Sequence, residues 1–322
     1  MTNPVFSIIA PIYNELENLP LLYARVREEM NKSGEPWELI LIDDGSHDGS
    51  TDIIRQLADT DERVRPVIFA RNFGHQIAVT AGMDYSRGDA VIIIDADLQD
   101  PPEVIHELIA KWREGYEVVY AVRTEREGET WFKKKTASIF YRTINRMTDI
   151  KIPLDTGDFR LLDRKVVNIM NGMREKHRFL RGMGAWTGFK QIGVEYKRAA
   201  RHAGASKYPF KKMVKLALNA VTGFSYVPLK IATYIGSVSV ALSLVVLIVR
   251  LIIGAPFTAQ ATTLLIVLFL GGIQLICLGI IGEYIGRIYD EVKGRPLYIV
   301  AEGPEPGFNP TRLDLPPNQN KL

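Results

Sequence analysis

Apolar and polar positions divide the chain into two regimes. Up to Tyr208, short apolar runs alternate with amphipathic stretches. From Lys230 to Glu283 the chain is almost wholly apolar, and Arg250 is the only formal charge between those two ends. In the first regime Val5–Ala10, Leu39–Ile42, Val64–Phe69 and Ala90–Ile94 are largely apolar runs, with Glu117–Ala121 as a fifth. Such runs fit strands covered on both faces, as in a parallel sheet. Leu16–Asn31, Ser50–Ala58, Gln76–Tyr85 and Pro102–Arg113 lie between or after them as amphipathic helices, and Pro101-Pro102 is a helix-start signal. The alternation predicts an α/β domain with a Rossmann-like, doubly wound, mostly parallel sheet. Ligands of such sheets bind beyond the carboxyl ends of the strands.

The second regime predicts a transmembrane hairpin. A helix needs about 20 apolar residues to cross roughly 30 Å of hydrocarbon, and residues 231–250 and 262–282 each supply such a run. Gly254-Ala255-Pro256 makes the turn between them, and Arg250 reaches an interface from the end of the first run. Lys211, Lys212, Lys215 and Lys230 precede the hairpin, while Arg287, Lys293 and Arg295 follow it, which predicts both ends in the cytoplasm. Trp131–Met147 and Pro209–Gly223 interleave apolar and basic residues, as helices lying on a membrane surface do. The expected division is a catalytic domain over 1–208, an amphipathic juxtamembrane helix over 209–228, the hairpin over 229–286 and a C-terminal tail over 287–322, poorly ordered from Gly303.

Charge and cysteine usage narrow the class. A net charge of +3 gives no case for nucleic acid. The one cysteine, Cys277, lies within the second apolar run, so neither an intramolecular disulfide nor a cysteine metal site is expected. Met1–Pro4 carries no signal-peptide pattern, which keeps the polar domain on the cytosolic side. Neither G-x-G-x-x-G after the first strand nor G-x-x-x-x-G-K-[ST] occurs, against a dinucleotide oxidoreductase and a P-loop ATPase.

The candidate chemistry falls at strand ends. Asp95-Ala96-Asp97 follows the fourth run directly, and two carboxylates so placed can converge on Mg²⁺ or Mn²⁺ together with phosphate oxygens. An isolated Asp-x-Asp is only a pair of loop carboxylates; its position before Leu98-Gln99-Asp100-Pro101-Pro102 makes it more. Asp43-Asp44-Gly45-Ser46 ends the second run, where a carboxylate can take a ribose hydroxyl or a base N–H, or serve the turn itself. Pro11-Ile12-Tyr13-Asn14-Glu15 ends the first and could wrap a nucleobase.

These motifs, with Arg71-Asn72-Phe73-Gly74, Thr156-Gly157-Asp158-Phe159-Arg160, Arg201-x-x-Gly204-x-Ser206-Lys207-Tyr208 and Gly282-Glu283-Tyr284-Ile285-Gly286-Arg287, resemble family 2 glycosyltransferases of the GT-A fold. Within these the chain is most similar to polyprenyl-phosphate glycosyltransferases, a group that includes dolichol-phosphate mannose synthases and, nearest, GtrB-type undecaprenyl-phosphate glucosyltransferases. The resemblance spans residues 5 to 300. It implies that Pro11, Tyr13, Glu15, Asp44, Asp95 and Arg123 bind a UDP-sugar, and that Asp95, Asp97 and Gln99 surround a Mg²⁺ or Mn²⁺ ion. Asp158 and Asp97 would act at the catalytic centre, and Arg201 and Lys207 would hold the phosphate of a polyprenyl phosphate acceptor. It further implies inverting transfer of a hexose, glucose first, at the bacterial cytoplasmic membrane, and a homo-oligomer such as a tetramer. Transfer of N-acetylglucosamine, galactose, mannose from a GDP donor, or an aminoarabinose is the alternative. A processive polysaccharide synthase is disfavoured by the absence of Gln-x-x-Arg-Trp. A membrane-anchored scaffold with a spent site is disfavoured by the intact acidic pairs. A flippase is disfavoured because the hairpin holds no buried charge pair.

Overall fold

The computed structural model describes residues 3–124, 156–197 and 259–306, with isolated helical positions between 234 and 252. The first four apolar runs form strands β1 (Phe6–Ile12), β2 (Trp37–Asp43), β3 (Val64–Phe69) and β4 (Ala90–Ile93), and the fifth forms β5 (Val118–Arg123). Helices α1 (Leu19–Ser33), α2 (Ser50–Thr60), α3 (His75–Tyr85) and α4 (Ile105–Arg113) fill the predicted gaps, with a 3₁₀ turn at Pro102–Val104. β1 pairs in parallel with both β2 and β4, and β2 with β3. The carboxyl ends of these four strands therefore share one edge.

The sheet is larger and more mixed than the alternation predicts. Its eight strands run β7-β5-β6-β4-β1-β2-β3-β8. β6 (Thr156–Asp163) lies antiparallel between β4 and β5, and β7 (Gln191–Tyr196) runs parallel to β5. β6 is hidden in the sequence because Asp158 and Arg160 give it a polar face, yet both residues are buried. Phe159 and Leu161 of the same strand join the cluster beneath α1 and α4, while Leu162 joins the one beneath α3. Two more short helices, α5 (Arg164–Gly172) and α6 (Leu180–Trp186), follow.

The C-terminal part departs from the expected division in two ways. α7 runs unbroken over Ala259–Val292, 34 residues and about 51 Å at 1.5 Å per residue. It therefore continues about 15 Å beyond Gly282, where the apolar run ends. The chain then turns at Gly294 and returns to the sheet, where β8 (Val300–Glu302) pairs antiparallel with β3. Residues expected to be tail thus close one edge of the catalytic sheet. Leu275, Ile276 and Leu278 of α7 are exposed, as are Val245 and Ile248 in the first apolar run. Among the described residues one helix, over Phe269–Val292, is long and apolar enough to cross a membrane. Trp131–Met147, Pro209–Gly223, the Gly254–Pro256 turn, Arg250 and the chain from Gly307 lie outside the described residues, as do Arg201 and Lys207.

Candidate active site

The predicted residues other than Arg201 and Lys207 lie at the carboxyl edge of the sheet. The loops after β1 and β2 are cross-linked into one surface. The Asn14 N–H donates to Ser46 Oγ at 3.0 Å, Leu16 N–H to Asp48 Oδ2 at 3.0 Å, and Asp44 N–H to Ile12 O at 2.8 Å. Tyr13 stands exposed on this surface, Pro11 is buried beneath it, and Glu15 is half-buried with its carboxylate accepting from Asn18 at 2.6 Å. Asp44 is buried, and its carboxylate accepts the backbone N–H groups of Phe73 (2.7 Å) and Gly74 (3.0 Å). Burial pushes its carboxyl up to about 6, against those two amides. Its observed partners thus bind the β2 loop to the Arg71–Gly74 loop. Gly45 completes the junction at φ 72°, since a Cβ there would stand 2.7 Å from the Asn72 backbone nitrogen.

After β4, exposure alternates. Asp95, Asp97 and Gln99 are half-buried, while Ala96, Leu98 and Asp100 are buried, so the first three share one side. The turn passes through Leu98 in the left-handed region (φ 58°), a conformation that costs a branched residue energy and recurs at functional sites. The Gln99 N–H donates to Asp97 Oδ1 at 3.1 Å. Asp95 Oδ1 is buried without a hydrogen-bond partner among the described residues. Desolvation pushes the Asp95 carboxyl up to about 6, with the charges of Asp100, Asp158 and Asp97 adding to it and His75 opposing.

Asp158 faces this loop from β6. Its Oδ2 lies 3.1 Å from His75 Nε2 and accepts from Gln76 Nε2 at 3.1 Å, and its Oδ1 accepts from Arg181 Nε at 2.9 Å. His75 Nε2 also lies 3.6 Å from Asp95 Oδ1, so the imidazole stands between the two carboxylates. Burial opposes ionisation of Asp158, but Arg181 and His75 outweigh it and hold its carboxyl well below the usual range. Burial likewise opposes a charged His75, yet Asp158 and Asp95 raise it to about 9. The buried Arg160 guanidinium donates to the carbonyls of Gly157 and Asp158 and fixes this part of β6.

Arg123, at the end of β5, donates from Nε to Tyr196 Oη at 3.2 Å and stands 3.8 Å from Asp100. Gly157 admits it, because a Cβ there would come within 2.5 Å of the guanidinium. Asp44, Asp95, Asp97, Gln99, Arg123 and Asp158 thus lie along one sheet edge, joined through His75, Asp100 and the loop amides. Sequence reasoning missed His75, Gln76 and Arg181. The first two directly follow the Arg71–Gly74 motif, which was their only signal; Arg181 had none. A separate cavity of about 610 Å³, lined by Arg174, Lys176, Arg295 and Tyr298, lies at the foot of α7 rather than at these aspartates.

Comparison with known proteins agrees with the fold. Glycosyl transferase family 2 matches residues 7–169, and the GtrB C-terminal hairpin matches residues 227–288. An uncharacterized glycosyltransferase of Bacillus subtilis is 53% identical over 301 residues, covering 92% of this chain and 93% of that one. A bactoprenol glucosyl transferase of Shigella phage SfII is 44% identical, covering 92% and 97% respectively. A prophage bactoprenol glucosyl transferase homolog of Escherichia coli is 43% identical, covering 91% and 97%. The protein is a membrane-associated glycosyltransferase: the chain belongs to glycosyltransferase family 2 and carries in addition a GtrB C-terminal hairpin.

Proposed function

We propose that the protein transfers a hexose, glucose first, from a UDP-sugar to polyprenyl phosphate on the cytoplasmic face of a bacterial inner membrane. The observation that carries this reading is the Asp158 carboxylate, held ionised beside the Asp95–Asp97 loop by His75 and Arg181, in a chain that also bears an apolar hairpin. The similarity to bactoprenol glucosyl transferases supports glucose and the lipid acceptor.

A divalent cation fits the acidic loop. The donor set is hard oxygen, and Asp95 Oδ1 lacks a hydrogen-bond partner among the described residues. No group of three or more His, Cys, Asp or Glu among the described residues holds a metal alone. Asp95 and Asp97, with Gln99, would therefore share Mg²⁺ or Mn²⁺ with donor phosphate oxygens. When bound, the ion supplies charge neutralisation for the departing diphosphate.

The remaining work belongs to the chain's own side chains. A phosphate monoester with a second pKa of about 6 is mostly dianionic near neutrality, so the acceptor needs little deprotonation. Its oxygen forms a bond to the anomeric carbon while the bond to the UDP oxygen breaks, the electron pair leaving with UDP and the anomeric centre inverting. Asp158 orients the reacting groups. Arg123, Arg201 and Lys207 bring two anions together. Pro11, Tyr13, Glu15 and Asp44 form the nucleoside side. The hairpin spans the membrane twice with both ends cytoplasmic, and the working form is a homo-oligomer such as a tetramer. UDP release from UDP-glucose that requires both a divalent cation and polyprenyl phosphate is the expected assay result. Release that ignores the lipid would remove the acceptor assignment.

A further inference from the structure

Helix α3 connects the site to the chain that returns from the membrane helix. Its first two residues, His75 and Gln76, contact Asp158. Its far end carries Asp84, which is 3% exposed and accepts from Tyr298 Oη at 2.7 Å and from Arg174 at 2.9 Å. Residues Ala78 to Tyr85 are all buried, so the helix, about 16 Å long, is packed as a rod. A second path runs beside it. The Tyr298 ring stacks on Phe69 with centroids 5.2 Å apart and planes 16° apart, and Phe69 meets Phe73 edge-on at 5.5 Å. The Ala70 N–H donates to Ile299 O at 3.0 Å. Phe73 in turn gives its N–H to Asp44. Tyr298 therefore touches both routes into the loop at 70–76.

The loop after α5, which carries Arg174, is fixed to α7. The Lys176 N–H donates to Glu291 Oε1 at 2.7 Å, and His177 Nε2 lies 3.5 Å from Asp290 Oδ2. Five residues after α7 ends, Leu297 is buried, and Tyr298 follows it. Six residues after α7 ends, the chain thus places the residue that holds both Asp84 and Phe69.

We propose that Tyr298 is a positioning residue for transfer: it holds α3 and the 70–76 loop so that His75 and Gln76 keep Asp158 in its reactive orientation. Its activity readout rests on the glycosyl-transfer reading above; its exchange readout does not. Tyr298→Phe keeps the stack on Phe69 and removes the hydroxyl bond to Asp84, whereas Tyr298→Ala removes both.

The test measures kcat and donor KM per folded molecule for the full-length protein and both variants, alongside hydrogen exchange at amides 70–80. Misplacing a reacting group by about 1 Å can cost on the order of 100-fold, so kcat is expected to fall about tenfold in Tyr298→Ala and less in Tyr298→Phe. Donor KM should change less than twofold, and amides 70–80 should exchange faster in Tyr298→Ala. If both variants keep wild-type kcat per folded molecule and wild-type exchange at 70–80, with only the melting temperature lowered, Tyr298 is a packing residue and the proposal fails. If wild-type protein transfers no sugar while Tyr298→Ala still loosens 70–80, the proposed function fails and the coupling stands.

Discussion

His75 Nε2 lies 3.1 Å from Asp158 Oδ2 and is held there by α3, whose first residue it is. The contact joins β6, a strand the apolar pattern does not reveal, to a motif at the end of β3 that it does. With Arg181 on the other oxygen, the Asp158 carboxyl is held well below the usual carboxylate range.

Asp158→Asn keeps the shape and removes the charge. We expect kcat to fall by about 100-fold or more, in the range found when a preorganised electrostatic group is removed, with donor binding changed little. Steady-state kinetics on the purified variant checks this, and near-normal turnover would take Asp158 out of the centre.

Asp97→Ala should abolish cation-dependent transfer, since Asp95 would be the one half-buried carboxylate left in the loop, Asp100 being buried. Activity titrated with Mg²⁺ and Mn²⁺ decides it. An Asp97→Ala enzyme with wild-type turnover and wild-type cation dependence contradicts the metal assignment.

Asp44 separates a structural role from a binding role through pH. Its folded value, about 6, lies above the ordinary 3.8, so the ionised form is disfavoured in the fold. That penalty is absent below pH 3.8 and fully present above pH 6. Asp44→Asn retains an oxygen for the Phe73 and Gly74 amides without the charge. The variant should therefore be more stable than wild type by about 1–3 kcal/mol at pH 7.5, with the gain vanishing near pH 4. Melting curves across that range measure it. UDP affinity of the same variant, expected to drop, reports the nucleoside role independently.

Gly45→Ala should destabilise the protein by at least about 2 kcal/mol, because the new methyl meets backbone at a left-handed position and neither strand end can retreat. Thermal unfolding checks it, and an unchanged melting temperature would mean the β2 and β3 loops are not locked together.

Most of the carboxyl edge of the sheet was legible in the sequence for a physical reason. β1, β2 and β4 are buried on both faces, and β3 is buried except at Arg65 and Pro66, so their apolar runs and the polar residues ending them stand out. Asp95, Asp97 and Gln99 show the same logic, with partly exposed residues alternating with buried Ala96 and Leu98. The rest was not legible because its polarity is satisfied internally. Asp158 and Arg160 look like surface residues until Arg181, His75 and two carbonyls are seen to neutralise them. β8 was hidden because three residues paired to one edge leave no periodicity. The extension of α7 was hidden because charge begins at Glu283 while the helix does not stop there.

Cys277, the chain's single cysteine, offers a direct check on the hairpin. Thiolate chemistry needs water, so in intact vesicles it should resist maleimide and react only after detergent denaturation. Rapid labelling in sealed vesicles would contradict a lipid-embedded α7.

The most direct test of the central claim supplies labelled UDP-glucose, undecaprenyl phosphate and Mn²⁺ to the purified protein and counts label in the organic phase. The account predicts a lipid-linked hexose formed in step with UDP, and none when the cation or the lipid is omitted. Label that stays in the aqueous phase with every nucleotide sugar tried, from a folded protein inserted in vesicles, would contradict it.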